Sequence, residues 1–272
     1  MPDRPRACVI QFPGVNCEYE SARALADAGA APEILRWNEE PERMAAFDLF
    51  LLPGGFSYQD RIRAGAVAAK ERILGALEEA AAAGKPILGI CNGAQVLVEG
   101  GFVSGLEPGA VELALATNRM EGRAGYFTEW SLLRPAAETP SWLSGVEGEL
   151  PVPFAHGEGR FTSRSEGLFE RLEAAGQIVL RYEDERWPAN PNGSVKAAAG
   201  ICNPAGNVLA MMPHPERSAW LGQVPETLPG PWGERRRAAA GDWEALRGPG
   251  PGMVILKAMV NAAREREASY AS

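Results

Sequence analysis

Short apolar runs alternate with longer segments of helical spacing through the first half of the chain. Ala7-Cys8-Val9-Ile10-Gln11-Phe12 predicts a buried strand, stopped by Pro13-Gly14. Glu18 to Ala28 predicts a helix closed by Gly29. Glu33 to Trp37 and Phe47 to Leu52 predict two more strands, the second ended by Pro53-Gly54-Gly55. Ala64 to Ala83 is alanine-rich and predicts one long helix closed by Gly84. Pro86-Ile87-Leu88-Gly89-Ile90 then runs as a strand into Cys91, and Ala94 to Glu99 runs out as a helix. Strands separated by helices predict a parallel sheet covered on both faces. In such sheets the active site lies at the carboxyl ends of the strands.

The second half has a different rhythm. Leu113 to Thr117, Tyr126 to Leu133 and Val152 to Ala155 predict short strands joined by turns, and Glu166 to Ala175 a helix. Ile178 to Tyr182 and Val208 to Met212 are strand-like, with a hairpin turn at Asn203-Pro204-Ala205-Gly206-Asn207. The expected fold is α/β: a mainly parallel central sheet flanked by helices, with an antiparallel extension in the second half. We read residues 1–272 as one domain. Within it, residues 223–252 form a Pro/Gly-rich excursion carrying a short helix near Arg235 to Leu246, before a terminal helix over Met253 to Glu267.

Composition narrows the function classes. The 272 residues are 46% hydrophobic and 23% charged, with a net charge of -8, which argues against a nucleic-acid partner. Arg235-Arg236-Arg237 is the one basic cluster and reads as solvated surface or a partner contact. With four cysteines, no Cys-x-x-Cys pair and two histidines, neither a disulfide framework nor a structural zinc site is expected. No apolar stretch is long enough to span a membrane, and the N-terminus lacks a signal-peptide core. Asn192-Gly193-Ser194 is better read as a turn than as a glycosylation site. A reduced, cytoplasmic protein is the expectation.

The candidate chemistry sits at Gly89-Ile90-Cys91-Asn92-Gly93. Strand, sharp turn and helix with a thiol at the turn is the nucleophile-elbow pattern, Cys standing in place of Ser. The glycines allow close approach of neighbouring chains. The helix beginning after Cys91 presents free N–H groups that favour a thiolate, and the Asn92 amide is placed to hold an oxyanion. A second oxyanion donor is expected from another strand end, and Pro53-Gly54-Gly55-Phe56 is the candidate segment. Such a thiol needs a base. Only His156 and His214 are available, and each begins a His-x-Glu triplet. Context favours His214: it follows an apolar strand, Pro215 keeps it out of helical conformation, and an extended triplet sets Glu216 on the same side to orient the imidazole. His156, in a Gly-rich segment, reads as a structural or substrate-facing loop histidine.

These residues resemble the triad-type (class I) glutamine amidotransferases, with a flavodoxin-like core. The resemblance narrows to the glutaminase subunits of phosphoribosylformylglycinamidine synthase. It is carried by Phe12-Pro13-Gly14-x-Asn16-Cys17, Leu52 to Tyr58, Arg63-Ala64-Gly65-Ala66, Ala155 to Phe161, Asn190 to Ser194 and Met212 to Arg217, in order along the chain. Gln59 departs from the family's usual Gly, and Ala94 replaces a bulkier residue. The 223–252 stretch is longer than the family needs.

The resemblance implies Cys91 as nucleophile, His214 as base, Glu216 as its orienting partner, an oxyanion hole from Gly55 and Asn92, and Gln95 against the substrate. It implies hydrolysis of glutamine to glutamate and ammonia through a Cys91 thioester. The ammonia passes to a synthetase (large) subunit that uses ATP and magnesium to convert formylglycinamide ribonucleotide to formylglycinamidine ribonucleotide in purine biosynthesis, with a small subunit bridging the complex. No cofactor and no metal are expected in this chain. The rivals are a stand-alone γ-glutamyl peptidase-like cysteine hydrolase and a non-catalytic module that keeps the fold.

Overall fold

The computed structural model describes residues 4–107 and 109–271. The reading of the chain's start falls partly on residues 1–3, which lie outside them. Among the described residues thirteen strands are formed: β1 (Arg6–Gln11), β2 (Ala31–Arg36), β3 (Leu49–Leu52), β4 (Ile87–Ile90), β5 (Ala114–Ala116), β6 (Arg119–Met120), β7 (Arg123–Ala124), β8 (Phe127–Pro135), β9 (Leu150–His156), β10 (Arg160–Thr162), β11 (Ile178–Tyr182), β12 (Ala198–Cys202) and β13 (Val208–Met211). The α-helices are α1 (Glu18–Ala28), α2 (Ile73–Ala82), α3 (Asn92–Glu99), α4 (Leu168–Ala174), α5 (Gly230–Ala238), α6 (Trp243–Arg247) and α7 (Pro251–Ala271).

Nine strands make one sheet in the order β2-β1-β3-β4-β13-β12-β11-β8-β9. Every pairing from β2 to β13 is parallel. Every pairing from β13 to β9 is antiparallel. Strands β1, β3, β4 and β13 are buried on both faces, which is why they read as unbroken apolar runs, whereas the edge strand β2 is only partly buried. Their carboxyl ends bring Phe12-Pro13-Gly14, Pro53-Gly54-Gly55, Cys91 and Met212-Pro213-His214 to one rim. The order reverses direction between β1 and β3, and that is where an open α/β sheet offers a crevice. β9 forms the far edge and carries Pro151 and Pro153. One hydrophobic cluster runs through both halves, from Ala7 to Ala263.

The helix expected from Ala64 to Ala83 is cut short, because α2 begins only at Ile73. Upstream, the chain turns against α3. Gly65 (φ +78°) approaches so closely that a Cβ there would stand 2.6 Å from the carbonyl carbon of Gln95. Arg63 forms an ion pair with Glu99 on α3. Tertiary contact thus overrides alanine's helix propensity. Strand β12 was not expected, since its Ala-Ala-Gly-Ile-Cys run is poor in β-branched residues; burial of all five supplies what propensity lacks.

The helix expected over Arg235 to Leu246 is two, α5 and α6, separated at Gly241 (φ +84°). Leu221, Val224 and Ala239 form a small cluster against Trp130 of β8, joined by Leu228, Trp232 and Leu246. The arginine run is used by contacts within residues 226–237. Arg236 pairs with Glu226 at 2.9 Å, Arg237 donates to the Glu226 and Leu228 carbonyls, and the Arg235 guanidinium lies over the Trp232 ring. A cavity of about 1020 Å³ opens between residues 228–232 and β8–β9, lined by Phe127, Trp130, Trp187, Leu228 and Trp232.

Candidate active site

Cys91 occupies the turn between β4 and α3 with φ 51° and ψ −105°, a conformation that costs an L-residue energy and persists only where the surroundings impose it. Its amide donates to the Met211 carbonyl at 2.8 Å, and its carbonyl accepts from Gln95 N at 3.0 Å. The flanking glycines are sterically required. A Cβ on Gly89 would lie 2.6 Å from the Gly93 carbonyl oxygen, and one on Gly93 would lie 2.0 Å from that of Leu52. Cys91 is 6% exposed, and its sulfur faces the Ala155 carbonyl at 3.7 Å.

His214 follows β13 in an extended conformation (φ −104°, ψ 90°). Its amide donates to the Pro153 carbonyl of β9 at 2.7 Å, which fixes the backbone. Pro215–Ser218 then make one 3-10 turn, which returns the Glu216 carboxylate to the ring. His214 Nδ1 stands 2.5 Å from Glu216 Oε1, so with the carboxylate ionised Nδ1–H is the donor. His214 Nε2 is buried without a hydrogen-bond partner. Burial works against a charged imidazole here, but the Glu216 carboxylate, then Cys91, outweigh it and hold the His214 pKa well above the usual histidine value. The structure therefore brings Cys91, His214 and Glu216 together at one end of the sheet.

The Gly54–Gly55 corner closes the other side. A Cβ on Gly54 would stand 2.6 Å from His214 Cε1, and Gly55 (φ +141°) would strike Val15 if it carried one. The Gly54 carbonyl accepts from Asn16 N and Cys17 N, and Phe56 N donates to Gly14. Asn92 is the first residue of α3, where the amide has no partner within the helix. Its side chain accepts from Ser57 N at 3.0 Å and donates to Asp60 Oδ1 at 3.3 Å and Gln95 Oε1 at 2.9 Å. Gln95 Nε2 in turn donates to the Glu158 carbonyl at 2.7 Å. Gln95 is thus a buried bridge between α3 and residues 157–159, with its amide engaged by the chain. Burial, then the charge of Glu158, pushes the Asp60 carboxyl up to about 6. Tyr58, Gln59 and Asp60 all carry positive φ, between 52° and 60°. At Gln59 (φ 60°) this is a conformation that glycine adopts without strain.

His156 is not a loop residue. It ends β9, is 3% exposed, and holds Asn118 Oδ1 at 3.2 Å from Nδ1. Glu158 does not reach back to it; that carboxylate accepts from Ala64 N at 3.4 Å. Burial, then the neighbouring His214, pushes the His156 pKa down to about 3. Asn118 and the group behind His214 went unassigned from sequence. That group is Cys17, Glu20 and Arg217. Cys17 and Arg217 lie inside the motifs that carry the resemblance, yet nothing in the sequence joins residues two hundred positions apart. Cys17, His214 and Glu216 bring one ligand-type atom each within 4.8 Å of one another. Arg217 Nη2 already lies 3.0 Å from the Cys17 sulfur, so the chain itself supplies positive charge where a metal ion would sit.

A CobB/CobQ-like glutamine amidotransferase domain matches residues 4–246. The chain is 42% identical over 276 residues to phosphoribosylformylglycinamidine synthase subunit PurQ of Methanothrix thermoacetophila, covering 96% of this chain and 99% of that one. It is 41% identical to the corresponding subunit of Thermosynechococcus vestitus over 78% of this chain and 85% of the relative. Among solved structures, that of PurLQS from Thermotoga maritima superposes with a TM-score of 0.70 at 30% identity, covering 95% of this chain and 98% of the other.

Proposed function

The chain belongs to the PurQ family of glutamine amidotransferases, and from that premise we propose that Cys91, His214 and Glu216 hydrolyse glutamine for phosphoribosylformylglycinamidine synthase. The observation that carries the assignment of residues is the meeting of a strained elbow cysteine with a buried His214–Glu216 pair. The free-standing γ-glutamyl hydrolase is not favoured.

The steps follow from the groups present. Cys91 Sγ attacks the side-chain amide carbon of glutamine while His214 Nε2 takes its proton. The tetrahedral oxyanion is held by the N–H groups of Asn92 and Gly55, each such donor being worth roughly 3–4 kcal/mol of barrier. His214 returns the proton to nitrogen, the C–N bond breaks, and ammonia leaves a glutamyl thioester. Water, deprotonated by His214, then attacks the thioester, and the departing Cys91 sulfur recovers its proton as glutamate is released. Glu216 fixes the imidazole tautomer and favours its charged form. Gln95 shapes the substrate wall by holding the 157–159 segment against α3.

The partners are a synthetase subunit and a small bridging subunit. ATP and magnesium act on the synthetase, which amidates formylglycinamide ribonucleotide with the ammonia. We read the chain as one amidotransferase domain, with residues 223–252 an excursion within it, on the strength of the continuous core. Four unpaired cysteines fit a reducing cytoplasm, and among the described residues no helix is long and apolar enough to cross a membrane.

The test is glutamate release by wild type and Cys91→Ala, alone and with the synthetase, ATP and the ribonucleotide. Turnover that needs both Cys91 and the synthetase is expected. Turnover that needs Cys91 and ignores the synthetase would remove the coupled reading, and turnover without Cys91 would remove the chemistry.

A further inference from the structure

Behind the His214–Glu216 pair lies a set of polar groups to which the proposed chemistry gives no part. Arg217 directly follows Glu216 in the 3-10 turn, and its guanidinium docks on the first turn of α1. Nε donates to Glu20 Oε1 at 2.9 Å, Nη2 donates to the Cys17 sulfur at 3.0 Å, and Glu216 Oε1 lies 4.0 Å from Nε. Cys17 is 1% exposed, and its amide and that of Asn16 both donate to the Gly54 carbonyl. Gly54 packs against the imidazole of His214, with no room for a Cβ between them. The contacts therefore close a ring: His214, Glu216, Arg217, Cys17, Gly54 and back to His214.

We infer that Arg217 is a positioning residue that ties the Glu216–His214 pair to the Gly54–Gly55 corner through Cys17, so that the base and one oxyanion donor are held in register by a single guanidinium. The inference rests on the triad reading above. A planar fork suits the task, because one side chain must engage a carboxylate and a sulfur while keeping its charge beside a second carboxylate. The elements tied are far apart in sequence: Glu20 and Arg217 are 197 positions apart. Register between base and oxyanion corner matters, because displacements of about 1 Å from a productive geometry cost about 10² in rate.

The charge has a separate consequence. The titratable and charged groups facing the pair are Cys91 from the elbow, His156 from β9, Cys17 just before α1, Glu20 from α1, and Arg217 itself. Helix α7 meets the turn with Gly252, and residues 221–223 meet it with Gln223, both uncharged. Arg217 is thus the one permanent cation in that set, and removing it makes protonation of its neighbours easier.

The experiment compares wild type, Arg217→Gln and Arg217→Lys in the complex with the synthetase, ATP and the ribonucleotide, with Cys91→Ala in parallel. Arg217→Gln should lower kcat by about 10²-fold, change KM for glutamine little, and move the acid limb of the kcat/KM profile to higher pH. Arg217→Lys should leave that limb in place and lose part of the rate, since it keeps the charge without the fork. An unmoved limb in Arg217→Gln, whatever its kcat, overturns the inference. If Arg217→Gln does not fold, Glu20→Gln releases one anchor of the guanidinium outside the turn. A severalfold fall in kcat at unchanged KM is expected there, and an unchanged kcat overturns the brace. Glutamine turnover by Cys91→Ala would instead remove the underlying triad reading, so the two failures are distinct.

Discussion

His156 and His214 begin from the same grammar. Each stands at a strand's carboxyl end, each opens a His-x-Glu triplet, and each is almost fully buried. Burial disfavours the charge on both. Around His214 the Glu216 carboxylate returns to Nδ1 and reverses the outcome, so the ring is held in favour of the proton. Around His156 the carboxylate of Glu158 turns away to Ala64, a neutral amide faces the ring, and the proton is refused until about pH 3. The difference comes from the residue between. Pro215 starts a tight turn that folds Glu216 back onto the imidazole, whereas Gly157 lets the chain run on. Residue types two apart do not make an orienting pair; the backbone path does.

The largest effect should come from breaking that pair. Replacing His214 by Asn, or Glu216 by Gln, is expected to cost on the order of 10⁴ in kcat, with much smaller changes in KM. Single-turnover glutamate formation measures it, and a loss below tenfold for Glu216→Gln would mean that the carboxylate does not orient the base. Gly54→Ala comes next. Its Cβ would stand 2.6 Å from His214 Cε1, so the ring must shift, at a cost of about 10² in rate. A variant with native kcat would show that the corner has slack.

The two histidines should also part company in stability against pH. Unfolded His156 takes up a proton near 6.5, but the folded form refuses it until about 3. The unfolded state binds more protons in that window, so stability falls as pH falls through it, by about 1.4 kcal/mol per pH unit. For His214 the sign is opposite: its contribution is present below the unfolded value of 6.5 and is lost as pH rises through the higher folded value. Denaturant titrations of His156→Asn against wild type should show the acid slope reduced in the variant, with most glutamine turnover kept. An identical slope would mean that His156 is charged in the fold. The smallest effect concerns the neighbouring loop. Gln59→Gly should stabilise by about 0.5–1 kcal/mol, the left-handed strain relieved less the added chain entropy. Destabilisation would show that the Gln59 side chain has contacts worth more than its strain.

Much of this was legible beforehand, for identifiable reasons. Buried parallel strands announce themselves as apolar runs closed by Gly or Pro, so β1, β3, β4 and β13 were placed within two residues at either end. Gly89 and Gly93 told of close approach, and two glycines with a cysteine between them told of the elbow. The alanine-rich stretch misled because Gly65 takes the chain under α3, a contact 30 residues away along the sequence. His156 looked like a loop residue because Gly157 and Gly159 follow it. Yet Gly159 is small in order to admit the ring: a Cβ there would lie 2.2 Å from the imidazole. The union of Cys17 with Arg217 has no local signature at all.

Pro151 and Pro153 carry one more consequence. A residue in a strand points its N–H and its carbonyl to the same side, and the Pro153 carbonyl points away from β8 to receive the His214 amide. Residues 151 and 153 share that outward side, and neither has a hydrogen to offer. Where the nine-stranded sheet stops, its last strand therefore lacks two of the three outward donors, at 151, 153 and 155, with which a tenth, from this molecule or another copy, would have to be zipped on. The strand that anchors His214 is also the one at which the sheet resists growth.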